Sequence, residues 1–534
     1  MNTGLFSRLL RGAAIAAIGA VLPAHTSAAN AQNASFPIYS DSTITASERY
    51  IQGNKYQKDL LLFTGMLEEC HPAFAPERPQ PLDIARIRDE GYAWAGSCLS
   101  DTEFKTYLQD IMTRLGDGHS SLLPDLDYNR IYPFAIMKVE DKIILSAVCR
   151  EYGELLGREI TEINGAGTAE VMNSFRSVMS SDNDNYFTSK VGGYMQFASN
   201  WNGNPFRAGD DSLTLTFADG RTIKLGACPQ NSLNIQWLPS VSTSPELFIR
   251  SKQPFTYRLY PEKGLCYMEF NTCADQSTLR SQIYTQGLQG QMSEEELERK
   301  LAAVPRFDEF VEKMFADIHS QGISTLVIDV RDNSGGNSRL GDILLSWLTP
   351  VGETLQFTTS IKLSSLWKSN YPQLAKEYGE AFAAAGEQMT MGKLYDAEWL
   401  SSITSNDTSA YEIMEPYFRM NSDTSAIFKG RVFILQGDRT YSSAGMFVTA
   451  AQDNRIGTVV GRSSTYRPSH FGDLLRWRLP NTGACGFLSH KIFHRPDLSK
   501  DTEATLEPDI PVNPDMEDIM SGADPYEECI LKLL

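Results

Sequence analysis

Residues 431–454 read RVFILQGDRTYSSAGMFVTAAQDN, and their pattern decides the fold. RVFILQ is a short apolar run rich in Val and Ile, which predicts a buried strand. GDRT is a turn. SSAGMFVTAAQDN predicts a helix that opens on a serine. A strand, a sharp turn and a serine at the mouth of a helix suit nucleophilic catalysis. The turn exposes the hydroxyl, and unpaired N–H groups at the helix start can hold an oxyanion. The stretch lacks the G-x-S-x-G pattern, and Ser442 equally suits a plain helix cap.

Upstream, ISTLVIDV (323–330) is a second buried strand. It runs into Arg331-Asp332-Asn333-Ser334-Gly335-Gly336 and then a helix through Leu340, Ile343, Leu344 and Trp347. KGLCYMEFN (263–271) starts the same unit. Phe307, Phe310, Val311, Met314, Phe315 and Ile318 follow helical spacing, and Gly322 stops that helix. GTVVG (457–461) completes the alternation, which predicts an α/β domain with crossover helices. Residues 351–429 interrupt it and read as an insertion that shields the site. The Asn-Ser-Gly-Gly loop lies between a strand and a helix, where backbone N–H groups can face a cleft. Without a P-loop lysine it suits an oxyanion better than a nucleotide phosphate. Combined with Ser442, it points to acyl transfer.

The first part of the chain has other periods. From about 46 to 125 the pattern is helical, with Phe104, Leu108, Ile111, Met112 and Leu115 on one face of the last helix. That region ends in Gly116-Asp117-Gly118-His119-Ser120-Ser121, where two glycines break the helix and set His119 on a loop. Residues 130–228 turn to β. IYPFAIMKVEDKIILSAV and LTLTFADGRTIKLGA read as hairpins, and GREITEINGAGTAEVMNSF as strand, turn and helix. Such a β-rich module suits binding an extended peptide by strand addition. Residues 229–254, rich in Ser, Pro, Asn and Gln, read as a linker before a large domain over 255–520.

The 534-residue length suits several domains, and 42% hydrophobic with 21% charged residues describes a globular chain with ample core. A net charge of −18 argues against nucleic acid as partner. Arg8 and Arg11, the apolar run 13–22 and small residues around Ala28 and Ala31 predict a signal peptide over 1–31. The chain is therefore expected to be exported, to a periplasmic or extracellular space, with no stable membrane span after cleavage. Eight cysteines fit that compartment; Cys70 with Cys98, and Cys149 with Cys228, fall within single proposed domains. No C-x-x-C occurs, which gives zinc or dithiol redox chemistry little support, and acyl transfer on a serine requires no metal or cofactor.

The stretches LGDGHSSL, LGREITEING, LVIDVRDNSGGNS, GDRTYSSAGMF and LEPDIPV, in that order over roughly 50–515, resemble the C-terminal processing (tail-specific) serine peptidases. The relatives include the tricorn core protease and the interphotoreceptor retinoid-binding protein. The resemblance implies an α/β (α+β multidomain) architecture: a helical N-terminal cap, a PDZ-like β-rich module over 130–228 and a crotonase-like ββα-spiral catalytic domain. It implies a protein or peptide substrate, with Ser442 as nucleophile and the N–H groups of Ser443 and of Gly335 or Gly336 as oxyanion hole.

Two departures from the family pattern matter. Many members carry a lysine base about 25 residues after the serine; here GRSSTYRPSHFGD places Arg467 there, and arginine cannot be deprotonated. The resemblance to the tricorn-like branch then implies a histidine base, His119, with His470 as its rival and Glu507, backed by Asp509, as the orienting acid. Arg467 is free to bind a substrate carboxylate. Gly445 stands where many relatives have Glu. The alternative reading is a non-catalytic peptide- or lipid-binding protein on the same scaffold, and an esterase or transpeptidase would use the same acyl-enzyme. Oligomeric state is not written in the sequence.

Overall fold

The computed structural model describes residues 36–239, 246–247, 251–285, 293–404 and 419–534. The expected signal segment, and parts of the expected linker and insertion, lie outside the described residues.

Helix α1 (Lys55–Cys70) starts at Asn54, whose side chain accepts from Gln57 N–H while the Gln57 side chain accepts from Asn54 N–H. It is buried around most of its circumference, from Leu60 through Leu67. A surface helix would show one apolar stripe; burial on all sides means that it is covered twice. Helix α2 (Asp101–Thr113) is capped by Ser100 and leads to the His119 loop and the short strand β1 (Ser121–Leu122).

A β-rich unit follows, with its own core around Phe134, Leu145, Phe175, Val191, Trp201 and Leu215. Its strands are β2 (Phe134–Val139), β3 (Lys142–Cys149), β4 (Ile160–Ile163), β5 (Ala166–Gly167), β6 (Ser212–Phe217), β7 (Thr222–Gly226) and β8 (Ile235–Trp237), in sheets ordered β2-β3-β8 and β5-β4-β6-β7. Helix α3 (Asp184–Met195) packs on β2, and Gly192 allows that approach: a Cβ there would lie 2.7 Å from Ile136. The β3–β8 pairing, Ala147 opposite Trp237, draws the first part of the expected linker into this unit.

The large domain holds a six-stranded sheet, β18-β15-β14-β11-β10-β9. Its members are β9 (Phe255–Tyr260), β10 (Leu265–Phe270), β11 (Thr325–Asp329), β14 (Arg431–Gln436), β15 (Thr458–Gly461) and β18 (Ile510–Pro511). β10, β11, β14, β15 and β18 run parallel, while β9 is an antiparallel edge. β10 and β11 are buried at every position, the pattern of strands covered on both faces. Helices α4 (Phe307–Ser320), α5 (Arg339–Leu345) and α6 (Ser443–Asp453) lie between successive strands, as the alternation in sequence required.

The expected insertion is built in rather than laid over the domain. Its strands β12 (Thr358–Lys362) and β13 (Leu394–Asp396) join β1, β16 (His470–Arg478) and β17 (Cys485–His494) in a second sheet, β1-β17-β12-β13 with β16 beside β17. This sheet covers α1, so the N-terminal helices share one core with it: Phe63 meets Trp477 at 5.8 Å, and Leu60 and Met66 cluster with Ile361 and Leu475. Polar bonds fix the same contact. The buried Lys362 ammonium donates to the Glu68 and His71 carbonyls at the end of α1. Asp59 within α1 accepts from Asn481 and Thr482 of the β16–β17 turn.

The last helix, α7 (Pro525–Leu533), is tied to the end of β11. Arg331 donates to both Asp524 and Asp329 and stacks over the Tyr526 ring at 4.5 Å. That clamp holds the backbone just before the Asn-Ser-Gly-Gly loop.

Candidate active site

Ser442 stands where β14, after the Gly437–Thr440 turn, meets α6. The turn is pinned by the buried Thr440 hydroxyl, which donates to Val330 O at 2.8 Å and accepts from Gly437 N–H. Ser442 occupies φ 52°, ψ −126°. An L-residue there stores about 1–3 kcal/mol of strain, which the surrounding structure must outweigh. Its side chain makes no capping bond, and its hydroxyl has no hydrogen-bond partner among the described residues. A plain cap therefore does not account for this serine. The neighbouring hydroxyl is used: Ser443 Oγ donates to Gly336 O at 2.6 Å.

The glycine loop packs directly on the serine. Gly335 has φ 105°, and a Cβ on it would lie 2.7 Å from Ser442 Cβ. Gly336 has φ 140°, and a Cβ would strike the Cys273 carbonyl. Asn333 shapes this loop from within: it is fully buried, donates to Phe270 O, and its Oδ1 accepts Gly335 N–H at 2.9 Å. Its own carbonyl accepts Tyr441 N–H at 3.1 Å, coupling the loop to the nucleophile turn. The oxyanion assignment changes accordingly. Gly335 N–H is committed to Asn333, whereas Gly336 N–H and Ser443 N–H, at the first position of α6, have no partner among the described residues.

His119 comes to this turn from the other end of the molecule. The loop after α2 is closed by β1 pairing with β17, Ser121 opposite Phe487. Asp117 inside it is completely buried; it accepts His119 N–H at 2.9 Å, the Ser120 hydroxyl at 2.5 Å and His71 Nε2 at 3.1 Å. Burial would raise Asp117, yet the hydrogen bonds from His119 and His71 hold it well below the usual carboxylate range. The His119 ring stacks on Tyr441 at 4.7 Å between centroids, and its Nδ1 lies 3.2 Å from the Tyr441 hydroxyl and 3.7 Å from Asp117. Its Nε2 is buried without a partner among the described residues. Burial opposes a charged His119, but Asp117 and Asp182 outweigh it and raise the pKa above the ordinary histidine value.

Asp182 enters from the β-rich unit. Its Oδ1 accepts Gly118 N–H at 2.6 Å, and it lies against the Tyr441 hydroxyl. Burial, with Asp117 nearby, raises its pKa. Asp117, His119 and Asp182 each offer an atom within 4.8 Å of the others, a spacing that a metal ion could bridge. Both Asp117 oxygens already accept hydrogen bonds within the loop, so the donor set is employed in positioning the histidine.

His470 stacks on His119 at 5.6 Å, and its Nδ1 approaches Pro468 O. Burial, with His119 beside it, pushes its pKa down to about 3. A ring that stays neutral so far into acid is a poor proton acceptor, which separates the two histidines.

Neither expected acid, Glu507 or Asp509, is brought to the histidine. Glu507 accepts from Ser463 at 2.5 Å and Thr505 at 2.8 Å, and Asp509 accepts Val459 N–H at 2.7 Å, so both serve the β15–β18 edge. Glu507 makes no hydrogen bond to His119 among the described residues. Arg467 Nε donates to Asp182 O at 2.7 Å, positioning that carboxylate's backbone. The carboxylates that do surround His119, Asp117 and Asp182, were missed. Asp117 had a signal, flanked by glycines two residues before the histidine; Asp182, over sixty residues away, had none. Gly445 is explained by Tyr466, whose ring a Cβ would meet at 2.8 Å; that ring fills the space a longer side chain would need.

A backbone-strained serine at a helix mouth, beside a glycine loop with unpaired N–H groups and near a histidine set among carboxylates, defines a serine-type hydrolase site. The comparisons name it more closely. Residues 300–512 match the model of peptidase family S41. The mature form of CPAF complexed with lactacystin has the same fold, with a TM-score of 0.59 at 15% identity over 90% of this chain and 98% of that one. Mature CPAF alone superposes with a TM-score of 0.58 at 15% identity over 90% and 96% of the two chains. A putative peptidase from Parabacteroides merdae ATCC 43184 follows at 0.42, with 14% identity over 90% and 97%. No curated protein matches significantly. Residues 300–512 carry the match to peptidase family S41, which makes this region that of a serine-type peptidase.

Proposed function

We propose that this peptidase is exported and cleaves polypeptide substrates through an acyl-enzyme on Ser442, with His119 rather than a lysine as base. The observation that carries the reading is Ser442 itself: a strained nucleophile position whose hydroxyl is left unpaired, packed against Gly335. The Nδ1 side of His119 faces Tyr441 and Asp117, and Nε2 is unpartnered. Tyr441 accepting from Nδ1–H leaves the Nε2 lone pair to take the Ser442 proton. Ser442 Oγ then attacks the peptide carbonyl, Gly336 and Ser443 N–H groups hold the oxyanion, and imidazolium Nε2–H protonates the leaving amine. Water, deprotonated by the same nitrogen, releases the acyl group. Asp117 and Asp182 favour the imidazolium that forms, which is the service Glu507 was expected to supply. Ser442 and His119 share no hydrogen bond as the chain stands, so substrate binding must bring them together.

Export is supported by Arg8, Arg11 and the apolar run 13–22; among the described residues no helix is long and apolar enough to cross a membrane. The β-rich unit over 130–228 is the natural holder of an extended substrate, since β2 is an edge strand. The test is casein hydrolysis by the mature chain and by Ser442→Ala, with a serine-directed phosphonate as active-site label. Cleavage and labelling by wild type, both lost by at least about 10⁴-fold in Ser442→Ala, support the mechanism. Labelling retained in Ser442→Ala overturns it. N-terminal sequencing of the protein recovered from periplasm or medium tests export.

A further inference from the structure

A cleft of about 130 Å³ lies between α2, the loop that carries His119 and helix α3 of the β-rich unit. Its walls include Lys105 and Gln109 on one side, Gly118 and Leu122 at the floor, and Tyr186 and Lys190 on the other. It reaches the catalytic turn through aromatic contact: the Tyr186 ring lies 5.0 Å from the ring of Tyr441, the residue before Ser442. Lys190 follows Tyr186 by four residues on α3, so the two share one helix face.

The charges around this cleft are unequal. Lys105 is paired with Asp125 at 2.6 Å. On the catalytic turn, Asp438 is taken by Arg462 at 2.5 Å and Arg439 pairs with Asp332 at 3.3 Å. Lys190 has no carboxylate within ion-pair distance among the described residues, in a chain whose net charge is −18. Burial, with Arg439 nearby, outweighs the charge of Asp438 and pushes its pKa down to about 8. The half-buried ammonium lies over the Tyr186 ring at 6.0 Å but has no carboxylate bonded to it, so an anion arriving in this cleft next to the catalytic serine would gain a charge partner.

We propose that Lys190 is the cation of a carboxylate-binding subsite in this cleft, selecting peptide substrates that carry an acidic group close to the scissile bond. The carboxylate it takes is that of an Asp or Glu side chain of the peptide. This deepens the peptidase reading and rests on it for the nature of the ligand, while the site itself is a matter of binding and can be measured without turnover.

The test uses the full chain carrying Ser442→Ala, with and without Lys190→Gln, at low ionic strength so that screening does not hide the pair. The probes are fluorescein-labelled flexible peptides of one Gly/Ser/Leu sequence in four forms: a central Glu or Gln, each with a C-terminal carboxylate or amide. Fluorescence anisotropy should show the central Glu tightening binding by about tenfold over the central Gln. The advantage should vanish in Lys190→Gln while the neutral peptide binds unchanged. A gain from the free C-terminus alone overturns the proposal. Equal affinity for all four peptides, absence of binding, or a carboxylate preference that survives Lys190→Gln overturns the proposal. Thermal melting of Lys190→Gln must match its parent; a melt lowered together with loss of neutral-peptide binding would mean a structural role and overturn it too. Failure of wild type to cleave casein would count against the peptidase mechanism and leave these binding results standing.

Discussion

The Tyr441 hydroxyl sits 3.2 Å from Nδ1 of His119, joining the residue before the nucleophile to the histidine of a loop more than three hundred residues earlier. Tyr441→Phe removes that partner and keeps the ring stacking. The expected result is a fall in kcat of about 10–100-fold with little change in KM, because the ring loses its orienting bond and not the substrate. Steady-state kinetics on a peptide that the wild type cleaves will check it.

The acid that matters should be Asp117 rather than Glu507. Asp117→Asn removes a buried charge that accepts from His119, Ser120 and His71, and should cost about 10²–10⁴-fold in kcat/KM. Glu507→Gln, which disturbs only bonds to Ser463 and Thr505, should stay within about threefold of wild type. Equal losses in the two variants would restore Glu507 as the third member.

Activity should fall with acid at a higher pH than an ordinary histidine would set. His119 must be neutral to accept the serine proton, and its folded pKa is raised, so the acid limb of kcat/KM lies above the usual value near 6.5. Asp182→Asn removes one of the charges that raise it and should move the limb to lower pH. His470, with a pKa pushed down to about 3, should contribute no limb above pH 5, and His470→Gln should leave the profile's shape intact.

Gly335→Ala should inactivate without unfolding. The added methyl would press on Ser442 Cβ at 2.7 Å and on Tyr441 O at 2.9 Å, and the backbone sits at φ 105°. The expected signature is loss of phosphonate labelling, with a drop in stability of about 1–3 kcal/mol measured by denaturant titration.

Oxidised protein should join Cys149 to Cys228 and leave Cys70 and Cys98 apart. Cys149 and Cys228 line one cavity on the β-rich unit. Cys70 is fully buried beneath Lys362, while Cys98 faces Ser100 and Glu103 near the surface. Peptide mapping without reduction will show which pair forms.

Local pattern was enough for much of this protein. The apolar runs at 323–330 and 431–436 had to be buried strands, the turn before Ser442 had to expose it, and the glycines of 334–336 had to bring backbone close to something. These features depend on neighbours a few residues apart, and the sequence carries them in full. The absence of a suitable lysine after Ser442 was equally readable, as was the need for a base from elsewhere.

Only the tertiary structure decided who surrounds that base. Asp117, Asp182 and Tyr441 come from three separate segments, brought together by the β1–β17 pairing that closes the His119 loop and by the bonds of Gly118 to Asp182 and of Tyr441 to His119. Long-range pairing also turned the apparent insertion into part of the core around α1 and moved Glu507 to a strand edge. Which N–H of the glycine loop remains unpaired depended on one buried asparagine side chain reaching forward two residues. Sequence specifies such contacts only through the whole fold, because a hydrogen bond between residues hundreds of positions apart leaves no local period or motif to read.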